Sequence, residues 1–228
     1  MKKNILVLLL LGALSQSAYA DGVSLGATRV IYPSNQNQVS LKIFNSAPKN
    51  NYLVQSWVSD KDGNKVNDFV VTPPLFVLKG NTNSILRIVY TGDKNKLPVD
   101  KEKIYFFNAK VIPSLTEEQK NITNSLLIST TTNIKLFMRP ANLTDDPLEA
   151  YKNIRCSYAN NQIKIDNPTP YYMNLASFTV NGKEISKGET IPPKDAVYLK
   201  STVKPNQLSF NVINDYGVQL ANKVCPLN

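Results

Sequence analysis

Short segments in which apolar and polar residues alternate make up most of the chain after residue 21. Val39, Leu41 and Ile43 alternate with Ser40 and Lys42, which is the period-two pattern of a strand with one buried face. Similar runs, rich in β-branched and aromatic residues, follow at 52–58, 66–71, 85–90 and 104–112. Helical periodicity is almost absent, so the pattern predicts an all-β fold.

Two dipeptides that favour tight turns accompany these runs. Asp62-Gly63 lies between the runs 52–58 and 66–71, and Asn181-Gly182 lies inside the run 178–185. Both dipeptides adopt positive φ at little steric cost, which suits hairpin turns. Short strands at this spacing are typical of immunoglobulin-like β-sandwiches.

A polar stretch divides the pattern into two parts. The strand-like runs stop near Arg139-Pro140, and residues 141–151 are polar and contain turn formers. Five further runs then follow, at 154–158, 163–165, 172–180, 208–213 and 218–224. We therefore predict an N-terminal immunoglobulin-like domain over residues 21–143 and a C-terminal one over residues 144–228.

The first twenty residues have the parts of a secretory signal peptide. Lys2 and Lys3 form a positive end, residues 5–11 are apolar, and Ala18-Tyr19-Ala20 gives the small–x–small cleavage pattern. The apolar run is shorter than the roughly 20 residues that a membrane-spanning helix needs. We predict cleavage after Ala20, export of the chain, and no membrane insertion of the mature protein.

Composition narrows the classes of function. Without residues 1–20 the chain has 24 basic and 17 acidic residues, a formal net charge of +7. The basic residues are scattered, unlike the arginine-rich runs or basic helices of nucleic-acid-binding proteins, so we expect no nucleic-acid partner. The sequence contains no histidine, which excludes Ser-His-Asp and Cys-His catalysis. We therefore expect no enzyme activity, no catalytic residues and no cofactor.

The chain has two cysteines, Cys156 and Cys225. An even pair in an exported chain favours a structural disulfide. The alternative is a metal site, but the commonest zinc ligand besides cysteine is missing, so we expect no metal.

Six sequence blocks are spread over nearly the whole chain after residue 21: GVSLGATRVIYP (22–33), YLVQSW (52–57), TPPL (72–75), NIKLFMRP (133–140), NPTPYY (167–172) and INDYG (213–217). In this order they resemble the periplasmic pilus-assembly chaperones of the chaperone–usher pathway, with the chaperones of type 1 fimbriae as the nearest group. One block alone would be a weak indication, whereas six in the family's order are specific.

The resemblance implies two immunoglobulin-like domains in a boomerang arrangement, located in the periplasm. Chaperones of this family bind pilus (fimbrial) subunits, including the adhesin, whose own sandwich lacks a strand. They donate that strand and deliver the subunit to the outer-membrane usher for fimbria assembly. In such strand addition, backbone hydrogen bonds give affinity and alternate side chains give fit. An exposed edge also leaves open a self-capping homodimer.

Arg29 and Lys135 match the family's two basic cleft residues, which anchor the C-terminal carboxylate of the subunit. Charge-assisted hydrogen bonds to a carboxylate are short and strong, as an anchor requires. The alternative interpretation is two ordinary surface cations on β-strands.

The resemblance places the donor strand within residues 124–132, with Leu126, Ile128 and Thr130 filling pockets of the subunit. Thr130 is smaller than the aliphatic residue usual in the family. We assign Leu127 to the core of the protein itself. Leu126 and Lys135 are nine residues apart, so an unbroken strand would place them on opposite faces. Either a bulge intervenes, or the cleft and the groove are reached from different faces.

Arg87, Glu102 and Asp215 match an ionic network that ties the two domains together in the family. The alternative is a set of surface charges that contributes little, since exposed ion pairs are worth about 0–1 kcal/mol. The resemblance also implies a cis Thr72–Pro73 bond, whereas the general rarity of cis bonds favours trans.

Two other classes of function fit an exported β-sandwich protein. A fibre subunit or adhesin would be one incomplete domain with its own N-terminal extension, whereas this chain has two complete sets of strands. An enzyme or metal carrier would need a nucleophile with a base, or a cluster of ligands, and the sequence offers neither. We therefore predict a subunit-binding chaperone.

Overall fold

The computed structural model describes residues 21–114 and 126–227. Within these ranges the strands form two β-sandwiches, each with its own cluster of buried apolar side chains. The predicted all-β architecture of two immunoglobulin-like domains is confirmed. The described parts contain no helix with the length and apolar character needed to cross a membrane. The predicted signal peptide lies outside the described residues.

Two sheets form the N-terminal sandwich. Its strands are β1 (Val23–Leu25), β2 (Arg29–Pro33), β3 (Val39–Asn45), β4 (Tyr52–Ser59), β5 (Phe69–Thr72), β6 (Leu75–Leu78), β7 (Thr82–Tyr90), β8 (Lys103–Pro113) and β9 (Thr130–Arg139). One sheet has the order β1-β3-β7-β5 and the other the order β2-β9-β8-β4-β6. A short 3-10 helix, Lys94–Lys96, lies between β7 and β8.

Alternation along the strands builds the N-terminal core. In β3, Leu41 and Ile43 are buried while Ser40 and Lys42 are exposed, as predicted. Both sheets contribute fully buried side chains, namely Tyr32, Ile43, Leu86, Ile88, Phe107 and Leu136. Each such side chain stabilises the fold by about 1.5–3 kcal/mol relative to its exposed state.

The C-terminal sandwich follows a 3-10 helix, Ala150–Asn153. Its strands are β10 (Arg155–Ala159), β11 (Gln162–Asn167), β12 (Met173–Val180), β13 (Lys183–Lys187), β14 (Thr190–Ile191), β15 (Asp195–Lys200), β16 (Leu208–Val212) and β17 (Lys223–Cys225). One sheet has the order β10-β11-β15, and the other has the order β13-β12-β16-β17, with β14 paired to β12.

The two turn dipeptides have different structural roles. Asn181 and Gly182 both have positive φ, 50° and 80°, and join β12 to β13 in the predicted tight hairpin. Gly63 also has positive φ, 85°. Its turn closes only an isolated bridge between Ser59 and Lys65, because β5 lies in the other sheet from β4.

The two cysteines form the predicted disulfide. Cys156 lies on β10 and Cys225 on β17, so the bond links the two sheets of the C-terminal sandwich. Their Cα atoms are 5.9 Å apart, and both residues are buried. The sequence separation of 69 residues corresponds to about 4 kcal/mol of stabilisation in the chain-entropy model.

The predicted strand 218–224 is mostly wrong. Only Lys223–Cys225 pairs with β16, and Gln219 makes an isolated bridge to Ile213. The turn before this segment contains Gly217, whose φ is 80°. A Cβ atom there would lie 2.4 Å from Thr28 Oγ1 in the N-terminal domain. Gly217 therefore lies close to the N-terminal domain, and the segment after it joins the sheet only at the Gln219 bridge and from Lys223 onward.

Two further predictions concern the isomer of one peptide bond and the boundary between the domains. The Thr72–Pro73 bond is cis, as the resemblance implies. Leu143 packs against the C-terminal core. The boundary between residues 143 and 144 stays a prediction.

Candidate functional site

Strand β9 places a row of side chains in the cleft between the domains. Its alternate residues are buried in the N-terminal core, namely Ile134, Leu136 and Met138. Lys135, Phe137 and Arg139 therefore point to the opposite side, towards the C-terminal domain. Strand β2 runs parallel to β9, with Arg29 directly opposite Lys135. The two predicted anchor residues are thus neighbours on one face.

Arg29 reaches across the cleft. Its Nη1 donates to the backbone oxygen of Ile213 in the C-terminal domain, at 3.0 Å. Its Nε is buried and has no hydrogen-bond partner among the described residues. Burial lowers the pKa of the Arg29 guanidinium, and the charge of Asp215 partly offsets this effect. An arginine guanidinium has an ordinary pKa far above neutral pH, so Arg29 keeps its charge, and its Nε is an unused donor.

Lys135 is also held by the C-terminal domain. Its Nζ donates to Asn174 Oδ1, at 2.7 Å, and to Thr190 Oγ1. Burial lowers the pKa of Lys135, and the neighbouring Arg29 lowers it further. Both acceptors are neutral, so the ammonium group has no acidic partner among the described residues. Two adjacent, partly buried cations without their own counterion form a site suited to an anion such as a carboxylate.

A third cation of the cleft, Arg139, lies on the same face of β9 as Lys135 and is paired with two carboxylates. Its Nε donates to Glu102 Oε1 at 2.7 Å. Its Nη1 and Nη2 donate to the two carboxylate oxygens of Asp215, at 2.7 and 3.0 Å. Glu102 belongs to the N-terminal domain and Asp215 to the C-terminal domain, so Arg139 bridges the domains.

The cation of the interdomain network is therefore Arg139, and the prediction of Arg87 is wrong. Arg87 lies on β7, between Leu86 and Ile88, which are both buried in the core. Alternation turns its side chain outward, where it is exposed. The spacing of Arg139, four residues after Lys135 and on the same face, is the sequence signal that would have identified it.

Burial and neighbouring charges both affect the pKa values of the network. The Glu102 side chain is 1% exposed. Burial raises the pKa of Glu102, although Arg139 and the Tyr172 amide, which donates to Glu102 Oε2 at 2.8 Å, act in the opposite direction. Burial also acts to lower the pKa of Arg139, but its bonds to Asp215 and the charge of Glu102 outweigh this, so the pKa is raised.

Further contacts hold the domains together around this network. The rings of Phe137 and Tyr172 stack at 5.4 Å between centroids. The Glu102 amide donates to the Pro170 oxygen at 2.9 Å. Lys194 pairs with Asp100 at 2.5 Å. The cleft thus combines a fixed interdomain contact with the two cations Arg29 and Lys135.

The predicted donor segment is exposed where the structure describes it, from residue 126 onward. Leu126 is 85% exposed and Ile128 is 63% exposed, and Thr130 is exposed as well. Leu127 is 48% exposed, so its assignment to the core is wrong. Strand β9 begins only at Thr130, because its pairing with β8 ends at Val111. Residues 126–129 therefore lie outside the sheet.

Beside Arg29 and Lys135, one edge of β9 has no strand paired to it among the described residues. On one side β9 pairs with β8 from Thr130 to Met138. On the other side it pairs with β2 only from Lys135 to Arg139. Among the described residues, 130–134 therefore have no strand on that side. We call residues 130–134 the open edge. The next residue along β9 is Lys135, which pairs with Arg29 of β2.

The register of β9 shows on which face of the strand each of its residues lies. The register of β9 with β8 shows no shift, so no bulge separates Thr130 from Lys135. Thr130 has the same parity as Ile134, which faces the core, and Lys135 faces the cleft. Thr130 and Lys135 therefore lie on opposite faces of β9, whereas Leu126 lies before the strand and has no face assigned by it. The described residues contain no group of three or more metal-ligating side chains.

Comparison with known proteins assigns the family. Residues 22–144 match the N-terminal domain, and residues 149–223 the C-terminal domain, of the pilus-assembly chaperone PapD. The chain belongs to the pilus-assembly chaperone family. This is a family of chaperones rather than of enzymes.

Curated relatives of this chaperone carry the same designation. The chaperone LpfB of Salmonella typhimurium is 37% identical over 213 residues, which cover 92% of this chain and 90% of that protein. The chaperone FimC of Escherichia coli O6:H1 is 40% identical over 198 residues, which cover 86% of this chain and 80% of that protein.

Solved structures extend the similarity to the fold. The SafB chaperone of Salmonella enterica, solved in complex with SafA pilin, is 35% identical with a TM-score of 0.79. That match covers 91% of this chaperone and 97% of SafB. The periplasmic chaperone SfaE is 32% identical with a TM-score of 0.74, over 90% of this chaperone and 99% of SfaE.

Proposed function

We propose that this chaperone is exported to the bacterial periplasm, where it binds pilus subunits by strand donation. It holds them folded and delivers them to an outer-membrane usher for assembly into a fimbria. The open edge of β9 carries this proposal, because its backbone groups have no strand partner on one side. A subunit that lacks a strand would pair with them, as in other strand additions.

The exposed side chains before and within the open edge supply the apolar part of the contact. Leu126 and Ile128 are largely exposed in the free protein. Exposure of large apolar side chains to water is unfavourable, so a partner that covers them gains binding free energy. Covering each one in a subunit groove would contribute about 1.5–3 kcal/mol. Thr130, two residues further along, would fill its pocket less completely.

Arg29 and Lys135 supply the anchor in this proposal. They lie where the open edge ends, and both keep a donor unused in the free protein. A C-terminal carboxylate bound between them would fix the register of the subunit strand against β9, because a one-residue slip would remove it from both cations. An alternative for the free protein is that a second copy covers the open edge, which sedimentation of the purified protein would detect.

The test is co-purification from the periplasm of cells that also make the secreted proteins encoded beside this chain. A tagged chaperone should retain a stoichiometric β-rich partner, and Arg29→Ala and Lys135→Ala should lose it. Lys42→Ala, which removes an exposed cation of β3 far from the cleft face, is the matched control. Equal capture by the anchor variants, or a co-complex with the open edge uncovered, would refute the proposal.

A further inference from the structure

Lys135 is held by a pair of residues that the anchor motif does not include. Asn174 and Thr190 face each other on β12 and β14, which pair at that register. Both belong to the C-terminal domain, whereas Lys135 belongs to the N-terminal one. The ammonium therefore makes its hydrogen bonds only when the two domains have the orientation seen in the structure.

The hydrogen bonds around Lys135 can be counted. An ammonium group has three donors. Two of them are used, one for Asn174 Oδ1 and one for Thr190 Oγ1. The Thr190 hydroxyl donates to Asn174 Oδ1 at 3.4 Å, which leaves its lone pairs for the ammonium. One donor of Lys135 is thus left for a ligand.

The neutrality of the two acceptors preserves the charge of the site. An aspartate at position 174 would pair with Lys135 and compete with an incoming carboxylate. Asp215, the acid whose charge acts on Arg29, is occupied at both oxygens by Arg139. Asn174 and Thr190 therefore fix Lys135 without cancelling its charge, although Arg29 repels it from the neighbouring strand.

We propose that Asn174 and Thr190 are positioning residues that hold the Lys135 ammonium in place for the terminal carboxylate of a subunit. This inference rests on the proposed function of Arg29 and Lys135. A free lysine side chain loses rotamer freedom on binding, whereas one held beforehand has already lost it. The carboxylate site is consequently built from both domains, and its affinity depends on their orientation.

The experiment compares two forms of one probe. The probe is a short synthetic peptide that copies the C-terminal strand of SafA pilin, made with a free carboxylate and as the C-terminal amide. Wild type should prefer the carboxylate. The double variant Asn174→Ala/Thr190→Val should lose about tenfold of this preference, equivalent to about 1.4 kcal/mol. Thr190→Ser keeps the hydroxyl and should retain the preference.

Two backgrounds separate positioning from a structural effect. In Lys135→Met, adding the double substitution should change neither peptide's affinity further. Thr179→Val is the matched control, because it removes a different hydroxyl of the C-terminal domain, on β12, that bonds within that domain. If the double variant weakens both peptides equally, the two residues are structural and the inference is wrong.

Failure of the inference and of the proposed function give different results. If wild type does not prefer the carboxylate, the anchor itself is refuted. If Lys135→Met loses the preference but Asn174→Ala/Thr190→Val keeps it, only the inference is refuted. A second measurement needs no peptide: NMR relaxation of the Lys135 side chain should report order in wild type and mobility in the double variant. Equal order in both would also overturn the inference.

Discussion

The two halves of β9 differ in how completely their interactions are satisfied. From Lys135 to Met138 the strand pairs on both sides, and Arg139, which pairs with β2, binds two carboxylates. From Thr130 to Ile134 it pairs only with β8 among the described residues. Lys135, where the halves meet, has neutral acceptors and a second cation beside it. One half is closed, and the other is open.

The difference separates structural from binding residues. A buried charge that is paired and hydrogen-bonded holds its neighbours in place, and breaking the pair is costly. A partly buried charge without a counterion and a strand edge without a partner have interactions still to make. Charge type alone does not distinguish the two roles, since Lys135 and Arg139 are both cations on one face. Their partners do.

The largest expected effect is the loss of the closed half. Arg139→Met leaves Glu102 buried without its cation, so the free energy of unfolding should fall by about 3–5 kcal/mol. Chemical denaturation measures this loss. Arg87→Met is the control, and as a change at an exposed site it should stay within about 0.5 kcal/mol of wild type. Similar losses for the two variants would contradict the central position of Arg139.

Substitution of Lys135, where the two halves meet, should affect binding rather than stability. Lys135→Met removes a partly desolvated charge beside Arg29, so the free energy of unfolding should change by less than about 1 kcal/mol. Subunit affinity should fall by about 2–3 kcal/mol, because the carboxylate loses a charge-assisted partner. Calorimetric titration with a subunit measures the second quantity. If Lys135→Met lowers the free energy of unfolding but keeps the subunit affinity, Lys135 is a structural residue rather than a binding one.

The side chains of the donor segment should behave in the same way. Leu126→Ala and Ile128→Ala should each weaken subunit binding by about 1.5–2 kcal/mol and leave the stability of the free chaperone unchanged, because both side chains are largely exposed. Competition between wild-type and variant chaperone for one subunit gives the ratio of affinities. Val70→Ala, an exposed apolar residue of β5, should compete as wild type does.

The pH dependence of Arg139→Met sharpens the account of the closed half. Burial raises the pKa of Glu102 above its value near 4.5 in the unfolded chain. An acid with a raised folded pKa favours the folded state below its unfolded pKa, and this contribution is lost as pH rises through the folded pKa. Arg139 acts to lower the pKa of Glu102, so Arg139→Met should raise that pKa further. The loss caused by Arg139→Met should therefore be smaller at pH 5 than at pH 8, by about 1 kcal/mol. Denaturation at both values tests the sign.

The smallest expected effect concerns Thr130. Replacing its hydroxyl with a methyl group in Thr130→Val should strengthen subunit binding by about 1 kcal/mol, because a larger apolar surface enters the groove. Thr131→Val, one residue along and on the other face, should have no such effect. If both variants bind alike, Thr130 does not face the subunit.

Local patterns allowed most of the fold to be predicted. Alternation in β3, the Asn181-Gly182 hairpin and the cysteine pair each depend on neighbouring residues or on the compartment, and each prediction is confirmed. The strand predicted at 218–224 failed because the residues after the Gly217 turn pair only at an isolated bridge of Gln219 and then from Lys223 onward, which apolar alternation does not reveal. Leu127 failed because apolar character does not reveal whether a strand neighbour is present to cover it.

The site divides in the same way. Arg29 and Lys135 were named from sequence blocks, and their positions opposite each other agree with a common site. The resemblance placed Arg87 in the ionic network, and only the fold shows that Arg139 is the arginine that meets Glu102 and Asp215. Asn174 and Thr190 carried no sequence signal, since neutral polar residues are common on strands.

The sequence by itself determined the alternation of the strands, the disulfide and the family, because periodicity, composition and motif order are properties of neighbouring residues along the chain. Only the tertiary structure decided which charges are neutralised and which remain available. That outcome depends on groups from two domains separated by as many as 184 residues, as in the hydrogen bond between Arg29 and Ile213. Burial and hydrogen bonding across such distances have no period in the sequence, so they follow from the packing of the domains alone.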